Sequence, residues 1–116
     1  DRPWAQLALA EAYALLQANA MLGNRVAWEI SEGTVRPELA SACKVFGTES
    51  YIKVLRLLLD VVGSAGIVKH GSPGAVLQAR LEGEWRMCQI NTFGGGAVEV
   101  LRDMVAHMGF GLPRGR

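Results

Sequence analysis

Residues 37–62 read PELASACKVFGTESYIKVLRLLLDVV, and this stretch carries the strongest fold signal in the chain. Charged side chains recur in its second half every three or four positions, which is the period of an α-helix. These are Glu49, Lys53, Arg56 and Asp60. They form one narrow polar stripe that predicts ion pairs between Glu49 and Lys53 and between Arg56 and Asp60. Because proline suits a first helical turn, we predict a helix from Pro37 to about Val62.

The segment Tyr51–Val62 is apolar on almost every side except that stripe. A helix with so narrow a polar face is covered by neighbours on more than one side. A lone bundle would leave part of this segment exposed. We therefore expect a partner domain or subunit to cover it, and we expect dimers or larger species in solution.

Three further helices are predicted around this one. Strong helix formers without proline extend from Trp4 to about Glu32, where Gly33 ends the first helix. Ser72 and Pro73 predict the start of a third helix that runs through residue 91. Apolar residues spaced as on one helical face predict the fourth over 98–108. No stretch alternates with a period of two, so we predict an all-α, antiparallel, up-and-down four-helix bundle spanning residues 1–116 as one domain.

Composition excludes several classes of function. Twelve basic and eleven acidic residues are mixed along the chain, so no basic patch for nucleic acid is expected. No uncharged apolar stretch is long enough to span a membrane, and no secretory signal is visible at the start. Cys43 and Cys88 lack the paired spacing of a zinc or redox motif, so we expect reduced core residues in a cytoplasmic protein. The missing initiator Met suggests a piece of a longer polypeptide, or a numbering that begins after a removed segment.

Few residues offer chemistry of their own. His70 and His107 have no carboxylate or cysteine at ligand spacing, so no metal site is predicted. The three tryptophans are interpreted as core anchors. Two glycine-containing loops remain, VVGSAG at 61–66 and TFGGGA at 92–97. Main-chain N–H groups at such a loop suit an anionic or planar ligand, although a simple turn between helices explains the loops equally well.

Read together, these segments resemble the C-terminal helical domain of the acyl-CoA dehydrogenases, flavoenzymes that oxidise the α–β bond of acyl-CoA thioesters. The stretch CKVFGTESYIKVLRLLLDVVGSAGI at 43–67 follows the family's pattern without a gap. The matching letters are Lys44, Phe46, Glu49, Gly63 and Gly66. Trp85-Arg86 resembles the family's aromatic-Arg pair, and FGGGAVEVLR at 93–102 takes the place of IYEGTSEIQR, with Glu99 and Arg102 aligned.

The resemblance also locates departures from the family pattern. Gly95 stands where the family's glutamate removes the α-proton of the substrate, so no catalytic residue is assigned in this chain. Ala97 replaces a threonine that contacts the flavin, and Asp60 replaces a glutamine that contacts the FAD of a neighbouring subunit. The resemblance therefore implies FAD-binding positions in the full-length assembly only. These positions are Asp60, Gly63, Gly66, Gly95, Gly96, Ala97 and Glu99.

Two explanations of the missing base remain open: a glutamate on an earlier helix, or an unlike partner subunit that carries the chemistry. We expect the chain alone to be inactive. The resemblance implies a domain that supplies an oligomer interface, in a homodimer, a homotetramer or a complex with an unlike subunit, and part of a flavin site for acyl-CoA oxidation. The alternative is a helical interaction module without enzymatic function.

Overall fold

The computed structural model describes residues 2–114, which form helices joined by short turns. The α-helices are α1 (Pro3–Ser31), α2 (Pro37–Val62), α3 (Arg80–Cys88) and α4 (Val98–Met104). Tight 3-10 turns occupy Gly63–Ile67, Val76–Ala79 and Gln89–Thr92, and one π-helical turn occupies Val105–Gly109. Residues 2–114 contain no strand, which confirms the all-α class. The predicted domain limits at residues 1 and 116 lie outside the described residues.

Helices α1 and α2 form an antiparallel hairpin. Lys53 pairs with Glu11 at one end of it, and Arg36 pairs with Glu29 at the other. Between these ends the two backbones come close, since a Cβ built on Gly47 would lie 2.8 Å from Asn19 Oδ1. Glycine at the crossing therefore sets how tightly the two long helices pack.

A buried carboxylate fastens the turn between α1 and α2. Glu29 is only 2 % exposed, and its Oε1 accepts hydrogen bonds from Arg36 Nη2 at 2.6 Å and from Arg25 Nε at 3.1 Å. The Arg36 side chain lowers the pKa of Glu29 chiefly through this hydrogen bond, against the opposing effect of burial. The five-residue connection is thus held by a paired charge as well as by Gly33.

Helices α3 and α4 both run antiparallel to α2, one after the other. The Tyr51 hydroxyl donates to Glu84 of α3, while Glu49 and Ser41 contact Arg102 and Met104 of α4. Consequently α3 covers the C-terminal half of α2, and α4 covers its N-terminal half. The arrangement as an up-and-down bundle of four helices is not confirmed, because α3 and α4 follow one another in the same direction.

The prediction for the start of the third helix was wrong. We expected Ser72 to cap it, but α3 begins at Arg80. The backbone between Ser72 and Arg80 is left-handed in places, with positive φ at Gly74 and at the three consecutive residues before Arg80. This left-handed turn prevents a right-handed helix from forming before Arg80.

The charged stripe of α2 is used differently from the prediction. Within residues 2–114, Glu49 pairs with Arg102 of α4 and Lys53 pairs with Glu11 of α1, instead of with each other, and no Arg56–Asp60 ion pair is present. The charged stripe therefore links α2 to α1 and α4.

The apolar segment Tyr51–Val62 is covered only in part within residues 2–114, so the expectation that a partner covers the rest stays a prediction. Val54 and Leu55 are only 2 % and 4 % exposed, because α1 and α3 pack against this half of α2. Most of the exposed large apolar side chains lie on α1 and on the chain that follows α2. The tryptophans are among them: Trp28, expected in the core, is 51 % exposed. No helix in the described range is long and apolar enough to cross a membrane.

Candidate functional site

The glycine triplet at 94–96 lies between the 3-10 turn that extends α3 and the first turn of α4, and each glycine has its own steric reason. A Cβ on Gly94 would lie 3.0 Å from the carbonyl oxygen of Ile90. Gly95 and Gly96 have φ values of +76° and +116°, which side chains of L-residues rarely allow. The triplet therefore has a backbone conformation that only glycine adopts easily. Because Gly95 has no side chain, position 95 carries no proton acceptor.

Lys44 of α2 holds the segment that leads into the triplet. Its Nζ donates hydrogen bonds to the Asn91 carbonyl oxygen at 2.9 Å and to Thr48 Oγ1 at 3.1 Å. Its Cε lies 3.9 Å from the position of a Cβ on Gly95. In the sequence, Lys44 is only a match to the family pattern and has no assigned role. No local pattern relates Lys44 to Asn91, which is far from it in the sequence.

The positions after the triplet begin α4. Ala97 has an extended backbone and precedes the helix, and its carbonyl accepts from the Leu101 amide at 3.0 Å. Glu99 is exposed in the first turn, where a carboxylate suits the helix dipole. Phe93, before the triplet, is 65 % exposed. The loop thus exposes an aromatic side chain at Phe93 and bare backbone at Gly95.

The other predicted cofactor positions lie at the opposite end of α2. Asp60 is exposed and shares a groove with Arg56 and Trp85. Gly63 ends the helix with φ +71°. Gly66 is buried, and a Cβ there would lie 3.2 Å from Leu59 Cδ2, so this glycine is needed for packing.

The predicted cofactor positions therefore form two patches that the chain does not bring together. We call Gly95, Gly96, Ala97 and Glu99 the triplet patch, and Asp60, Gly63 and Gly66 the helix-end patch. Lys44 is level with the first patch, and sixteen residues of helix at 1.5 Å each separate it from Asp60, about 24 Å. Whether either patch contacts a flavin stays a prediction.

The two histidines serve local turns. His70 Nδ1 lies 3.0 Å from the Gln78 carbonyl oxygen, and His107 Nδ1 lies 3.0 Å from the Leu112 carbonyl oxygen. No cluster of three potential metal ligands occurs within residues 2–114. Cys88 is buried, and this burial raises the pKa of its thiol.

Comparison with known proteins places this arrangement in a family. The model of the acyl-CoA dehydrogenase C-terminal domain matches residues 1–109. The acyl-CoA dehydrogenase FadE26 of Mycobacterium tuberculosis is 40 % identical over 98 % of this chain and 29 % of its own length. FadE29 of the same organism is 34 % identical over 92 % of this chain and 27 % of its own length.

Solved structures agree. The Tcur3481-Tcur3483 steroid ACAD superimposes with a TM-score of 0.96 at 42 % identity, covering 99 % of this chain and 30 % of that one. The ChsE4-ChsE5 complex from Mycobacterium tuberculosis superimposes with a TM-score of 0.92 at 42 % identity, over the same shares. The chain spans somewhat under a third of the length of these relatives. It belongs to the acyl-CoA dehydrogenase family and corresponds to that family's C-terminal domain.

Proposed function

We propose that this domain serves an FAD-dependent acyl-CoA dehydrogenase subunit, in which it supplies part of the flavin sites and part of the subunit interface. The observation that carries the proposal is the family match over residues 1–109, a range that contains both glycine-containing loops. The substrate in this proposal is an acyl-CoA thioester. A steroid-bearing acyl group is the favoured class, since one similar structure at 42 % identity is a steroid ACAD.

The separation of the two patches supports contacts with two different FAD molecules. The family resemblance assigns the triplet patch to a flavin ring and the helix-end patch to the FAD of a neighbouring subunit. Their spacing of about 24 Å along α2 fits that division. The bare backbone at Gly95 and Gly96 leaves room for a flat ring to approach. Arg56 in the Asp60 groove supplies the positive charge that a diphosphate requires.

Bound FAD would supply the acceptor for the hydride that leaves the β-carbon of the thioester. The residues of this chain contribute shape at that site: the triplet offers main chain, and Phe93 offers an apolar surface that excludes water. Because Gly95 has no side chain, the α-proton has to be taken by a carboxylate from elsewhere. The two sources open from the sequence are an earlier helix of the same polypeptide and an unlike partner subunit.

The exposed surface of the domain supports further packing partners. Residues 2–114 have a radius of gyration of 17.3 Å, whereas a compact chain of this length has about 13 Å. The accessible surface is 8003 Å², against about 6,200 Å² for a compact monomer of 12.5 kDa. The excess is larger than one side of a standard interface, about 800 Å².

One uncharged seam on α1 supports a location for such a partner. Seven exposed residues follow the three-four spacing of a coiled-coil seam. They are Leu7, Ala10, Ala14, Gln17, Met21, Asn24 and Trp28. In our proposal another helix packs on this seam and completes a four-helix bundle, while partner subunits cover the outer face of α3 and α4. Both solved relatives carry two component names, which supports an unlike partner subunit.

The test is purification of the full-length subunit, alone and with a partner subunit, from a cytoplasmic expression system, the compartment we propose. We expect the visible absorbance of oxidised flavin in the assembled protein, and we expect a steroid-bearing acyl-CoA to bleach it. Bleaching by a straight-chain acyl-CoA alone would reject the steroid class. An assembly that forms without any FAD would favour the alternative, a helical interaction module, for which the seam on α1 is the supporting observation.

A further inference from the structure

The C-terminal end of the helical run that starts at Arg80 is capped from another helix. After Cys88 the run continues as a 3-10 turn, Gln89–Thr92, and then stops. The last carbonyls of a helix lack partners of their own. The Ile90 carbonyl accepts from the amides of Phe93 and Gly94, at 3.2 and 2.7 Å. The next carbonyl, that of Asn91, accepts from the Lys44 ammonium of α2.

The charge of Lys44 is directed to this helix end. Within residues 2–114 its ammonium has no carboxylate within 4 Å, unlike Lys53 on the same helix, which pairs with Glu11. Its ammonium donates to the Asn91 carbonyl oxygen and to the hydroxyl of Thr48, a residue that is itself buried. A cation suits this place, since the C-terminal end of a helix carries partial negative charge.

The capped carbonyl lies three residues before the glycine triplet. A cap at Asn91 ends the helical run there, so the chain can turn into the positive φ values of Gly95 and Gly96. The Lys44 alkyl chain lies beneath this turn, at van der Waals distance from position 95. The same side chain therefore sets both where the helix ends and how closely the triplet approaches α2.

We propose that Lys44 is a positioning residue, which caps the α3 end at Asn91 and thereby holds the glycine triplet in its flavin-facing conformation. The relevance to the flavin rests on the proposed function, whereas the effect on the triplet does not. The Thr48 hydroxyl accepts from the Lys44 ammonium at 3.1 Å and itself donates to the Asn91 carbonyl oxygen at 3.5 Å, so Thr48 supports the same cap at smaller effect.

The experiment is amide hydrogen exchange on the full-length assembly, with Lys44→Met compared with Lys53→Met as the matched control. Hydrogen bonds to charged groups are stronger than neutral ones. We therefore expect loss of the Lys44 bond to raise the amide exchange rate at residues 92–97 about tenfold or more. We expect this rise in Lys44→Met and not in Lys53→Met. Lys44→Arg, which keeps a charged donor, should restore protection. Thr48→Val should raise exchange in the same segment by less, and it provides the test if Lys44→Met does not fold.

Retention of FAD through gel filtration is the second readout. We expect Lys44→Met to lose more FAD than Lys53→Met at equal melting temperature. Unchanged exchange at residues 92–97 would overturn the proposal, and so would a uniform rise across α1 and α2, which indicates a general loss of stability. If the wild-type assembly holds no FAD, the proposed function fails, while the exchange comparison still decides the role of Lys44.

Discussion

Replacing Gly95 with alanine tests the triplet geometry directly. The backbone there has φ +76°, and the nearest atom to a new Cβ is Lys44 Cε at 3.9 Å, so the substitution brings backbone strain and no clash. The left-handed region costs an L-residue about 1–2 kcal/mol. The reduced entropy of the unfolded chain returns about 0.4–1 kcal/mol of this. We expect Gly95→Ala to lower the free energy of unfolding by about 1 kcal/mol, or about 4 °C in melting temperature.

Gly23→Ala is the matched control, because it makes the same chemical change with the opposite expected sign. Gly23 lies inside α1 at ordinary helical φ, and a Cβ there would meet nothing within 4 Å. Alanine in a helix interior is favoured over glycine by about 0.5–1 kcal/mol. Urea unfolding followed by far-UV circular dichroism measures both variants. If Gly95→Ala is as stable as the wild type while Gly23→Ala is stabilised, the positive φ at position 95 is wrong.

Three further outcomes are expected. The pKa of Glu29 is lowered in the folded chain, chiefly by the hydrogen bond from Arg36, so its stabilising contribution is present above the ordinary pKa of 4.5 and is lost as the pH falls below it. Glu29→Gln should therefore lower the free energy of unfolding at neutral pH and make it fall less steeply as the pH is lowered. Urea unfolding midpoints measured against pH test this. Midpoints that fall in parallel for the wild type and the variant would contradict it. Iodoacetamide should alkylate Cys43 before Cys88, because burial covers the Cys88 sulfur and raises the pKa of its thiol. Mass spectrometry would show the order of alkylation, and equal rates at the two cysteines would refute the prediction. Leu55→Ala should lower the free energy of unfolding by about 2–5 kcal/mol, since Leu55 is buried between helices, and a loss below about 1 kcal/mol would place it outside the core.

The long helices were predictable because their signals are local. Proline at 37 and glycine at 33 punctuate the chain, so the predicted second helix, Pro37–Val62, matches α2 and the first differs from α1 by one residue at each end. Local signals failed at Ser72, where a good cap residue precedes a left-handed turn. The short α4 ends at Met104, before the predicted limit, and continues as a π-helical turn.

Contacts between distant parts of the chain were beyond the sequence pattern. Glu49 has a suitable partner four residues away, yet it binds Arg102 on α4. A charge pattern along one helix does not record which neighbouring helix brings a better-placed partner. The same limit hid the cap that Lys44 places on Asn91.

The sequence predicted which residues belong to the candidate site, but not how they are arranged in space. The family pattern located Gly95 and Asp60, but only the helix between them shows that they lie too far apart to form one compact patch. The pattern also predicted only part of the apolar surface, because it did not show that α1 carries many exposed apolar side chains. A helix with a narrow polar stripe indicates that it is covered, but not whether its own chain covers it, and Val54 is buried by α1 and α3.

A cryo-electron microscopy structure of the full-length assembly purified with FAD tests the central claim most directly. The quantities to measure are the distances from the main chain of Gly95 and from the side chain of Asp60 to the nearest atoms of bound FAD. We predict that Gly95 contacts the flavin ring of one FAD, and that the helix-end patch around Asp60 faces the diphosphate part of a second FAD. A single FAD that contacts both patches, or a triplet patch with no flavin beside it, would contradict the account.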